Sequence, residues 1–310
     1  MPGVEIKKVK TEDDGMRLNR WFMKYYPNLT LGRLQKLLRT KQIKVDGKRA
    51  EAGLKLAAGN EVRVPPMDEQ IELEAQQGVS RRDVEFIISL VIYKDDNIIV
   101  LNKPSGLAVQ GGTNTSRHID GMLEALQFEL NEKPKLVHRI DKDTSGVLVL
   151  ARNRTWADKL TKAFREHTLP KTYLALVNNK PKSLNGEINA PLEKVGEKSL
   201  ISESGKPAVT TYQVLDEVGD KFALLEASPL TGRTHQIRAH LEYLGCPIVG
   251  DDKYFGGESR QKYSMIADKL YLHAYKIDLS AIYNKRIVIK AELPEHFKKA
   301  LPAIGIEFKG

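Results

Sequence analysis

The segment that most constrains this chain is residues 137–152, which read VHRIDKDTSGVLVLAR. Residues 147–150 within it are all branched and apolar, which is typical of a buried strand. Asp141 and Asp143 stand shortly before that run, and Gly146 lies at the bend. Polar groups that crowd the start of a core strand form a rigid corner, and such a corner aims one carboxylate into a cleft.

A plain turn is the alternative interpretation of the polar part of this segment. In Asp-x-Asp-Thr-Ser-Gly runs the side-chain oxygens often accept hydrogen bonds from nearby backbone N–H groups. Taken alone, that interpretation is favoured for Asp143, Thr144 and Ser145. It is weaker for Asp141, because Arg139 stands beside it in the sequence.

Length and composition indicate a soluble globular protein. The chain has 310 residues, of which 41% are hydrophobic, and this length is long for one domain and comfortable for two. No apolar run approaches the length of a membrane span, and the first residues lack the apolar stretch of a signal peptide. We therefore expect no membrane association.

Cysteine and histidine usage indicates a reducing compartment and no metal site. Cys246 is the only cysteine, so no disulfide forms within the chain, and we expect a cytoplasmic location. His235 and His240 are five residues apart, which does not place them on one helical face. The histidines show no metal-binding spacing, so we predict that no metal is bound.

The positive charge of the chain is concentrated near its N-terminus. The formal net charge is +9, and residues 16–64 contain twelve Lys or Arg against three acidic residues. That segment alone accounts for the whole excess. A charge excess confined to one module favours a docking patch over a general contribution to solubility.

Residues 16–64 have the pattern of a small α/β module. Helical spacing extends over 16–25, and a second helix with Thr30 as its N-cap would place four leucines on one face. These leucines are Leu31, Leu34, Leu37 and Leu38. Alternation at 43–45 and the Asp46-Gly47 pair predict a hairpin, which a strand around 62–64 would close.

This module resembles the small RNA-binding domain first named in ribosomal protein S-four, which has two helices followed by a short hairpin. The resemblance implies that its basic side chains bind structured RNA through the phosphate backbone. The residues that we expect to do so are Arg17, Arg20, Arg33, Lys36, Arg39 and Lys41. A solvated helix face is the alternative, but the excess of one sign favours phosphate contact.

The rest of the chain is predicted to form one larger domain. We assign residues 1–64 to the basic module, 65–83 to a polar linker and 84–310 to the second domain. The predicted strands of this domain are 86–91, 98–101, 147–150, 173–177, 209–215, 222–226 and 287–289, and the predicted helices are 121–130, 155–167 and 236–244. Many strands and few helices, without a βαβ rhythm, predict an α+β fold with a mixed or largely antiparallel sheet flanked by helices.

Four segments of the second domain resemble, in order, the motifs of a known enzyme family. They are LNKPSGLAVQGG at 101–112, VHRIDKDTSG at 137–146, PKTYLALV at 170–177 and TGRTHQIRAHLEYLGCPIVGDDKYFG at 231–256. The chain is similar in these segments to the RluA/RluC/RluD family of pseudouridine synthases that act on large-subunit ribosomal RNA, most of all to the RluC branch. It departs from the family's HRLDxxTSG signature in Ile140, which replaces a leucine.

The resemblance implies a pseudouridine synthase fold and roles for individual residues. Asp141 is expected to be the catalytic carboxylate, Tyr173 the active-site tyrosine and Arg238 the arginine that pairs with the aspartate. Ile237 is expected to pack beside the target base. The Lys103-Pro104 pair in the first of these segments is typical of a strand end that a proline turns, and we expect this feature to buttress the site.

Three further residues are expected to bind the RNA substrate in the second domain. Arg233 and His235 would lie at the start of a helix, where N–H groups and basic side chains suit phosphate. Arg139 would fill the space that a flipped base leaves, or hold the flanking backbone.

The reaction of that family explains what such a site needs. The N-glycosidic bond of uridine is broken, the base turns, and a bond forms between the sugar and carbon 5. Nothing is transferred and no redox change occurs, so we expect no cofactor. An ionised carboxylate beside the ribose is required, and Arg238 would oppose the desolvation that disfavours a buried charge. The expected partner is large-subunit ribosomal RNA, bound by a monomer.

Two other functions compete with this interpretation. A non-catalytic RNA-binding factor for ribosome assembly would explain the basic module, but it has no need of Asp141, Tyr173 and Arg238 together. A hydrolase of the glycosidase kind would use Asp141 and Asp143 as an acid–base pair. The turn-like surroundings of Asp143 disfavour that pair.

Overall fold

The computed structural model describes residues 4–26, 29, 31–65, 79–112, 115, 117–130, 132–255 and 266–310, without the side chains of 31–33 and 36. The chain divides into two compact units, Met1–Ser80 with Gly112–Asn114 and Arg81–Gly111 with Thr115–Gly310. The domain boundaries at 64 and 83 stay predictions, because residues 66–78 of the predicted linker lie outside the described residues.

The first unit packs two helices against a small antiparallel sheet. The helices are α1 (Leu18–Tyr25) and α2 (Leu31–Arg39), and a 3-10 turn at Thr11–Asp13 precedes them. The strands β1 (Glu5–Lys8), β2 (Lys44–Val45), β3 (Lys48–Arg49) and β4 (Glu61–Val64) pair in the order β1-β4-β2-β3. Leu34, Leu37 and Leu38 of α2 are buried in the core that helices and strands share, whereas Thr30 lies outside the described residues.

The second unit is built on a ten-stranded sheet flanked by helices. Its helices are α3 (Arg81–Ser89), α4 (Ile119–Met122), α5 (Arg154–Arg165), α6 (Gln236–Tyr243), α7 (Ser280–Tyr283) and α8 (Glu295–Ala303), with a 3-10 turn at Leu123–Leu126. Its strands are β5 (Val91–Lys94), β6 (Ile98–Lys103), β7 (Lys135–Leu136), β8 (Ser145–Ala151), β9 (Lys171–Asn178), β10 (Asn185–Asn189), β11 (Leu192–Val195), β12 (Lys198–Ile201), β13 (Val209–Val218), β14 (Phe222–Pro229), β15 (Leu272–Asp278) and β16 (Val288–Lys290). β11 and β12 form a separate hairpin.

The large sheet is antiparallel at every pairing of its described strands except one. Its order is β10-β13-β14-β9-β15-β8-β6-β5, with β16 on β15 and β7 on β8. The exception is the parallel pair of β15 and β8. Gly146 lies at that pair with φ +106, and a Cβ atom there would stand 2.2 Å from the carbonyl oxygen of Ala274. The predicted α+β fold with a largely antiparallel sheet is confirmed.

Two predicted elements of the second unit are wrong. Residues 86–91 were expected to form a strand, but most of them belong to α3. A short apolar run does not distinguish a strand from a buried helix turn. In α3 Ile87 is buried and Ile88 is exposed, while Arg81 and Glu85 form an i,i+4 ion pair at 3.0 Å. The predicted helix at 121–130 is only α4 and the 3-10 turn, which end before Phe128, a residue with φ +50.

Candidate active site

A cleft of about 530 Å³ in the second unit is lined by all the residues that were predicted for catalysis and substrate binding there. The catalytic candidates are Asp141, Tyr173 and Arg238, and the substrate-binding candidates are Arg139, Arg233, His235 and Ile237. Asp141 and Arg238 are 97 residues apart in the chain. The fold therefore brings distant motifs to one place.

The loop that carries Asp141 is fixed by a buried ammonium group. Asp141 lies between β7 and β8, and Lys103 ends β6, which pairs with β8. Nζ of Lys103 donates to three carbonyl oxygens, those of Lys142 at 2.8 Å, Leu107 at 2.8 Å and Pro104 at 3.0 Å. Burial lowers the pKa of Lys103 to about 7, although Asp143 and Asp141 oppose that effect. These contacts agree with the buttressing role expected of the Lys103-Pro104 pair.

Two more hydrogen bonds hold the same loop from the same side. The backbone N–H of Gly106 donates to the carbonyl of Lys142 at 3.0 Å, and Oγ of Ser105 donates to the carbonyl of Asp143 at 2.8 Å. Gly106 has φ +86, which favours glycine at this bend. Asp143 is exposed and is not among the residues that line the cleft. The structure thus separates Asp143 from the surroundings of Asp141.

Arg238 divides its donors between two carboxylates. Its Nε and Nη2 atoms each lie 2.7 Å from an oxygen of the fully buried Asp251, and its Nη1 atom lies 3.5 Å from Oδ2 of Asp141. Asp251 also accepts the backbone N–H groups of Lys253 at 3.0 Å and Tyr254 at 3.1 Å. Burial would lower the pKa of Arg238, but its hydrogen bonds with Asp251 raise it. The bidentate pair fixes the plane of the guanidinium group.

His235 approaches Asp141 from a strained position. It directly precedes α6 with φ +53, in the left-handed region. Its Nε2 atom lies 3.7 Å from Oδ2 of Asp141, and its Nδ1 atom lies 3.1 Å from the hydroxyl oxygen of Tyr254. Burial lowers the pKa of His235, although Asp141 opposes that effect. Left-handed backbone at a residue other than glycine is uncommon and concentrates at functional sites.

Tyr173 and His138 complete the walls of the cleft. Tyr173 lies in β9, where it pairs with Ala227 of β14 and Ala274 of β15. Burial raises the pKa of Tyr173, and the charge of Asp141 raises it further, so the hydroxyl keeps its hydrogen. His138 accepts the backbone N–H of Val149 at 2.8 Å, and burial lowers its pKa to about 3. His138 is therefore a neutral structural residue.

Several basic side chains are among those that line the cleft. Arg139 is exposed, and Nε of Arg233 donates to the carbonyl of Pro207 at 3.1 Å. Arg165 and Lys171 also line the cleft. Cations in the lining of a cleft suit a polyanionic substrate.

The basic residues predicted in the first unit are described only in part. Arg17, Arg20, Arg39 and Lys41 are exposed. The side chains of Arg33 and Lys36 lie outside the described residues. Their role in RNA binding stays a prediction.

Two residues of the site received no role from the sequence. Asp251 and Tyr254 both lie in the fourth motif segment, but their contacts with Arg238 and His235 link residues that are 13 and 19 positions apart. The sequence offers Asp251 and Asp252 side by side and does not indicate which one is buried. Gly250 precedes this pair with φ +73, and in the structure Asp251 is buried while Asp252 is exposed.

The described residues contain neither a cluster of metal ligands nor a membrane-spanning helix. No group of three or more His, Cys, Asp or Glu side chains there is arranged to hold a metal ion. No helix among those residues has the length and apolar character needed to cross a membrane.

A family of RNA-modifying enzymes matches part of this chain, and bacterial proteins match it over most of its length. The sequence pattern of the family described as RNA pseudouridylate synthase matches residues 97–243. The ribosomal large subunit pseudouridine synthase C of Rickettsia felis is 39% identical over 292 residues, which cover 91% of this chain and 94% of that protein. The protein of the same name in Vibrio vulnificus is 35% identical over 307 residues, which cover 97% and 96%.

Solved structures of human proteins agree with these matches. The human RNA pseudouridylate synthase domain containing 4 superposes with a TM-score of 0.64 and 29% identity, covering 75% of this chain and 100% of that one. The human RNA pseudouridylate synthase domain containing 1 superposes with a TM-score of 0.56 and 26% identity, covering 69% of this chain and 85% of that one.

Proposed function

Because the chain belongs to the RNA pseudouridylate synthase family, we propose that it isomerises uridine to pseudouridine in ribosomal RNA of the large subunit. The substrate is the one that the names of its relatives state. The observation that carries the proposal for this site is the approach of Arg238 to Asp141 in the cleft that Tyr173 also lines. A non-catalytic RNA-binding factor has no need of that arrangement.

In the proposed reaction Asp141 is the catalytic carboxylate. Both of its neighbouring donors, on Arg238 and His235, approach Oδ2, whereas Oδ1 accepts no hydrogen bond from the described residues. Oδ1 is therefore open to the substrate, either as a nucleophile towards sugar or base or as a base at the 2′ carbon. Either course needs the ionised carboxylate, and the cation of Arg238 stabilises that form.

The other cleft residues hold the target nucleotide in this proposal. A cleft of about 530 Å³ is large enough for a nucleotide that has been flipped out of folded RNA. Ile237 packs beside the base, and the protonated hydroxyl of Tyr173 positions it and takes part in transfer of the carbon-5 proton. Arg233 contacts the phosphate of the flanking backbone, and Arg139 holds that backbone or fills the vacated space.

The test is a single-turnover assay on a ribosomal RNA fragment, with pseudouridine mapped by carbodiimide modification. Asp141→Asn should abolish product formation and leave RNA affinity nearly unchanged, since it removes only the charge. Asp143→Asn is the matched control and should stay active, because Asp143 is exposed outside the cleft. Substantial turnover by Asp141→Asn would refute the assignment, and free uracil in place of an isomer of unchanged mass would indicate a hydrolase.

We further propose that residues 1–64 form an S-four-type RNA-binding domain, 65–83 a linker and 84–310 the catalytic domain. The whole formal charge excess lies in 16–64, and Arg39 and Lys41 are exposed there. Each phosphate contact that is lost should reduce the salt dependence of binding by about one unit of log–log slope. Arg39→Ala with Lys41→Ala should therefore weaken RNA binding and flatten that slope by about two. The control is the double variant Lys298→Ala with Lys299→Ala in α8, which also removes two positive charges and should leave the salt dependence of RNA binding unchanged.

We also propose that the protein is cytoplasmic and acts as a monomer. Ribosomal RNA as substrate implies the compartment. Action as a monomer is supported by the fact that all seven candidate residues of the second unit line the cleft of one chain. Light scattering of the protein with and without RNA tests the monomer directly.

A further inference from the structure

A line of polar contacts runs from the β11–β12 hairpin to Asp141. The backbone N–H of Ser199 in β12 donates to the hydroxyl oxygen of Tyr254 at 2.6 Å, and that oxygen lies 3.1 Å from Nδ1 of His235. Nε2 on the other side of the ring lies 3.7 Å from Oδ2 of Asp141. We call Ser199, Tyr254 and His235 the relay.

The positions of the hydrogens in the relay follow from the hydrogen-bond partner that each buried donor and acceptor requires. Tyr254 is buried and its oxygen accepts from Ser199, so the hydroxyl hydrogen still requires an acceptor. Among the described residues the acceptor within reach is Nδ1 of His235. In a neutral imidazole one nitrogen carries the hydrogen and the other accepts. When Nδ1 accepts from Tyr254, the hydrogen is on Nε2, the atom that faces Asp141.

We propose that the relay holds His235 in its neutral Nε2–H form, so that His235 is a second donor to Asp141 and a positioning residue for the isomerisation. This inference rests on the proposed function. Nη1 of Arg238 at 3.5 Å and Nε2 of His235 at 3.7 Å approach the same oxygen of Asp141. Contacts between catalytic groups often tighten in the complex with the substrate. With Oδ2 held from two sides, Oδ1 meets the uridine in one orientation.

The opposite form of His235 would be unfavourable in two ways. A hydrogen on Nδ1 would leave the hydroxyl hydrogen of Tyr254 without an acceptor in the described part of the chain, and it would turn a nitrogen lone pair towards Asp141. The relay is also anchored mechanically, because Oγ of Ser199 donates to the carbonyl of Thr234 at 2.7 Å, next to the strained His235. The hairpin therefore fixes both the backbone and the ring.

The surroundings of His235 are consistent with a neutral ring. The charged and titratable groups that face His235 or Tyr254 are Asp141, Asp251, Arg238, Lys253, Glu197 and Lys198. Burial lowers the pKa of His235 first of all, Asp141 opposes it, and Arg238 and Lys253 lower it further. At neutral pH the ring then has one hydrogen, and the relay decides where it is.

Two substitutions separate this role from a structural one. The amide nitrogen of a glutamine reaches the place of Nε2, so His235→Gln retains a donor to Asp141. His235→Asn retains only a group near Nδ1, although asparagine tolerates left-handed backbone better. We expect His235→Asn to lower kcat about ten- to a hundredfold with KM nearly unchanged, which is the loss of one hydrogen bond to a charged group, and His235→Gln to stay within about fivefold of the parent. A better result for asparagine, or an effect confined to KM, would overturn the proposal in favour of a structural or phosphate-binding role.

The ring itself is observed by nitrogen-15 NMR of the full chain with labelled histidine, which needs no activity. His235 is assigned by the loss of its signals in His235→Gln. We expect the neutral Nε2–H pattern, with an Nδ1 shift that marks an accepted hydrogen bond and is lost in Tyr254→Phe. Tyr243→Phe, at an exposed position of α6, is the matched control and should change nothing. A hydrogen on Nδ1 in the parent would refute the relay even if the enzyme makes pseudouridine, whereas absent turnover with the expected NMR pattern would refute only the proposed function.

Discussion

Asp251 and Asp141 both contact Arg238, but we expect their substitution by asparagine to affect different properties. Loss of the charge of Asp251 should mainly lower stability, and loss of the charge of Asp141 should mainly abolish activity. Asp251 is fully buried and holds Arg238 through two contacts of 2.7 Å, whereas Asp141 is partly exposed and its contacts are 3.5 and 3.7 Å long. Asp251→Asn keeps one oxygen for the guanidinium group but turns an amide donor towards it. The variant should therefore lose one charge-assisted hydrogen bond and leave a buried cation without its main partner.

The expected cost of Asp251→Asn is about 3–5 kcal/mol in the free energy of unfolding, the range measured when one partner of a buried ion pair is removed. For a unit of this size that corresponds to a melting temperature lower by roughly 10 °C. Asp141→Asn should change the free energy of unfolding by less than about 1 kcal/mol, because its contacts are long and partly solvated. Urea titration and thermal unfolding of both variants measure the two effects.

The two variants should also differ in their pseudouridine-forming activity. Asp141→Asn should be inactive and stable. Asp251→Asn should keep some activity at low temperature, since Asp141 retains its charge, but kcat should fall because the guanidinium plane is no longer fixed. Asp158→Asn, an exposed carboxylate of α5, controls for the charge change and should be nearly neutral in both assays. Equal stability losses in Asp141→Asn and Asp251→Asn would refute the division of roles.

Three further predictions concern the frame of the site. Lys103→Met should lower kcat and cost about 2–4 kcal/mol of unfolding free energy, since the carbonyl oxygens of Pro104 and Leu107 lose the donor that Lys103 provides and that of Lys142 keeps only the N–H of Gly106; equal activity with the parent in the single-turnover assay would contradict this. Gly146→Ala should unfold or express poorly, because its Cβ would lie 2.2 Å from a backbone oxygen, and a soluble variant with parental melting temperature would argue against the parallel pair. Burial lowers the pKa values of His138 and His273 to about 3 and about 4, below 6.5 for an exposed histidine, so the unfolded chain binds more protons in acid. Their contribution to stability should be complete above about pH 6.5 and decline as pH falls towards 4, which urea titrations over that range would show.

The sequence predicted the parts of the molecule that local chemistry determines. The apolar run at 147–150 became part of the central strand β8. In the first unit, Leu34, Leu37 and Leu38 of α2 are buried in the core as predicted. The clustering of Asp141 with Arg238 came from the motif resemblance, since no local pattern brings such distant residues together. The roles assigned to them stay proposals.

What the sequence did not provide depends on tertiary packing. The run at 86–91 is equally apolar as a strand or as one face of a helix. The helical spacing of the exposed residues Glu85, Ile88 and Ser89 distinguishes the two, and that spacing is seen only in the structure. Asp251, which is buried, is the partner of Arg238 and the adjacent Asp252 is exposed, a difference that appears only in the folded chain. Similarly, Tyr254 lies in a turn where it contacts His235, and no hydrophobic periodicity of the sequence predicts that contact.

The late position of β15 in the chain has a consequence for biosynthesis. β15 comprises residues 272–278, yet it separates β8, next to the loop with Asp141, from β9 with Tyr173. Until that strand has left the ribosome, the two halves of the sheet have no shared hydrogen bonds, because each pairs with β15 and not with the other. Such non-local closure comes late in folding. We therefore expect a nascent chain that still lacks β15 to be inactive, because no strand pairing yet joins β8, next to the Asp141 loop, to β9 with Tyr173.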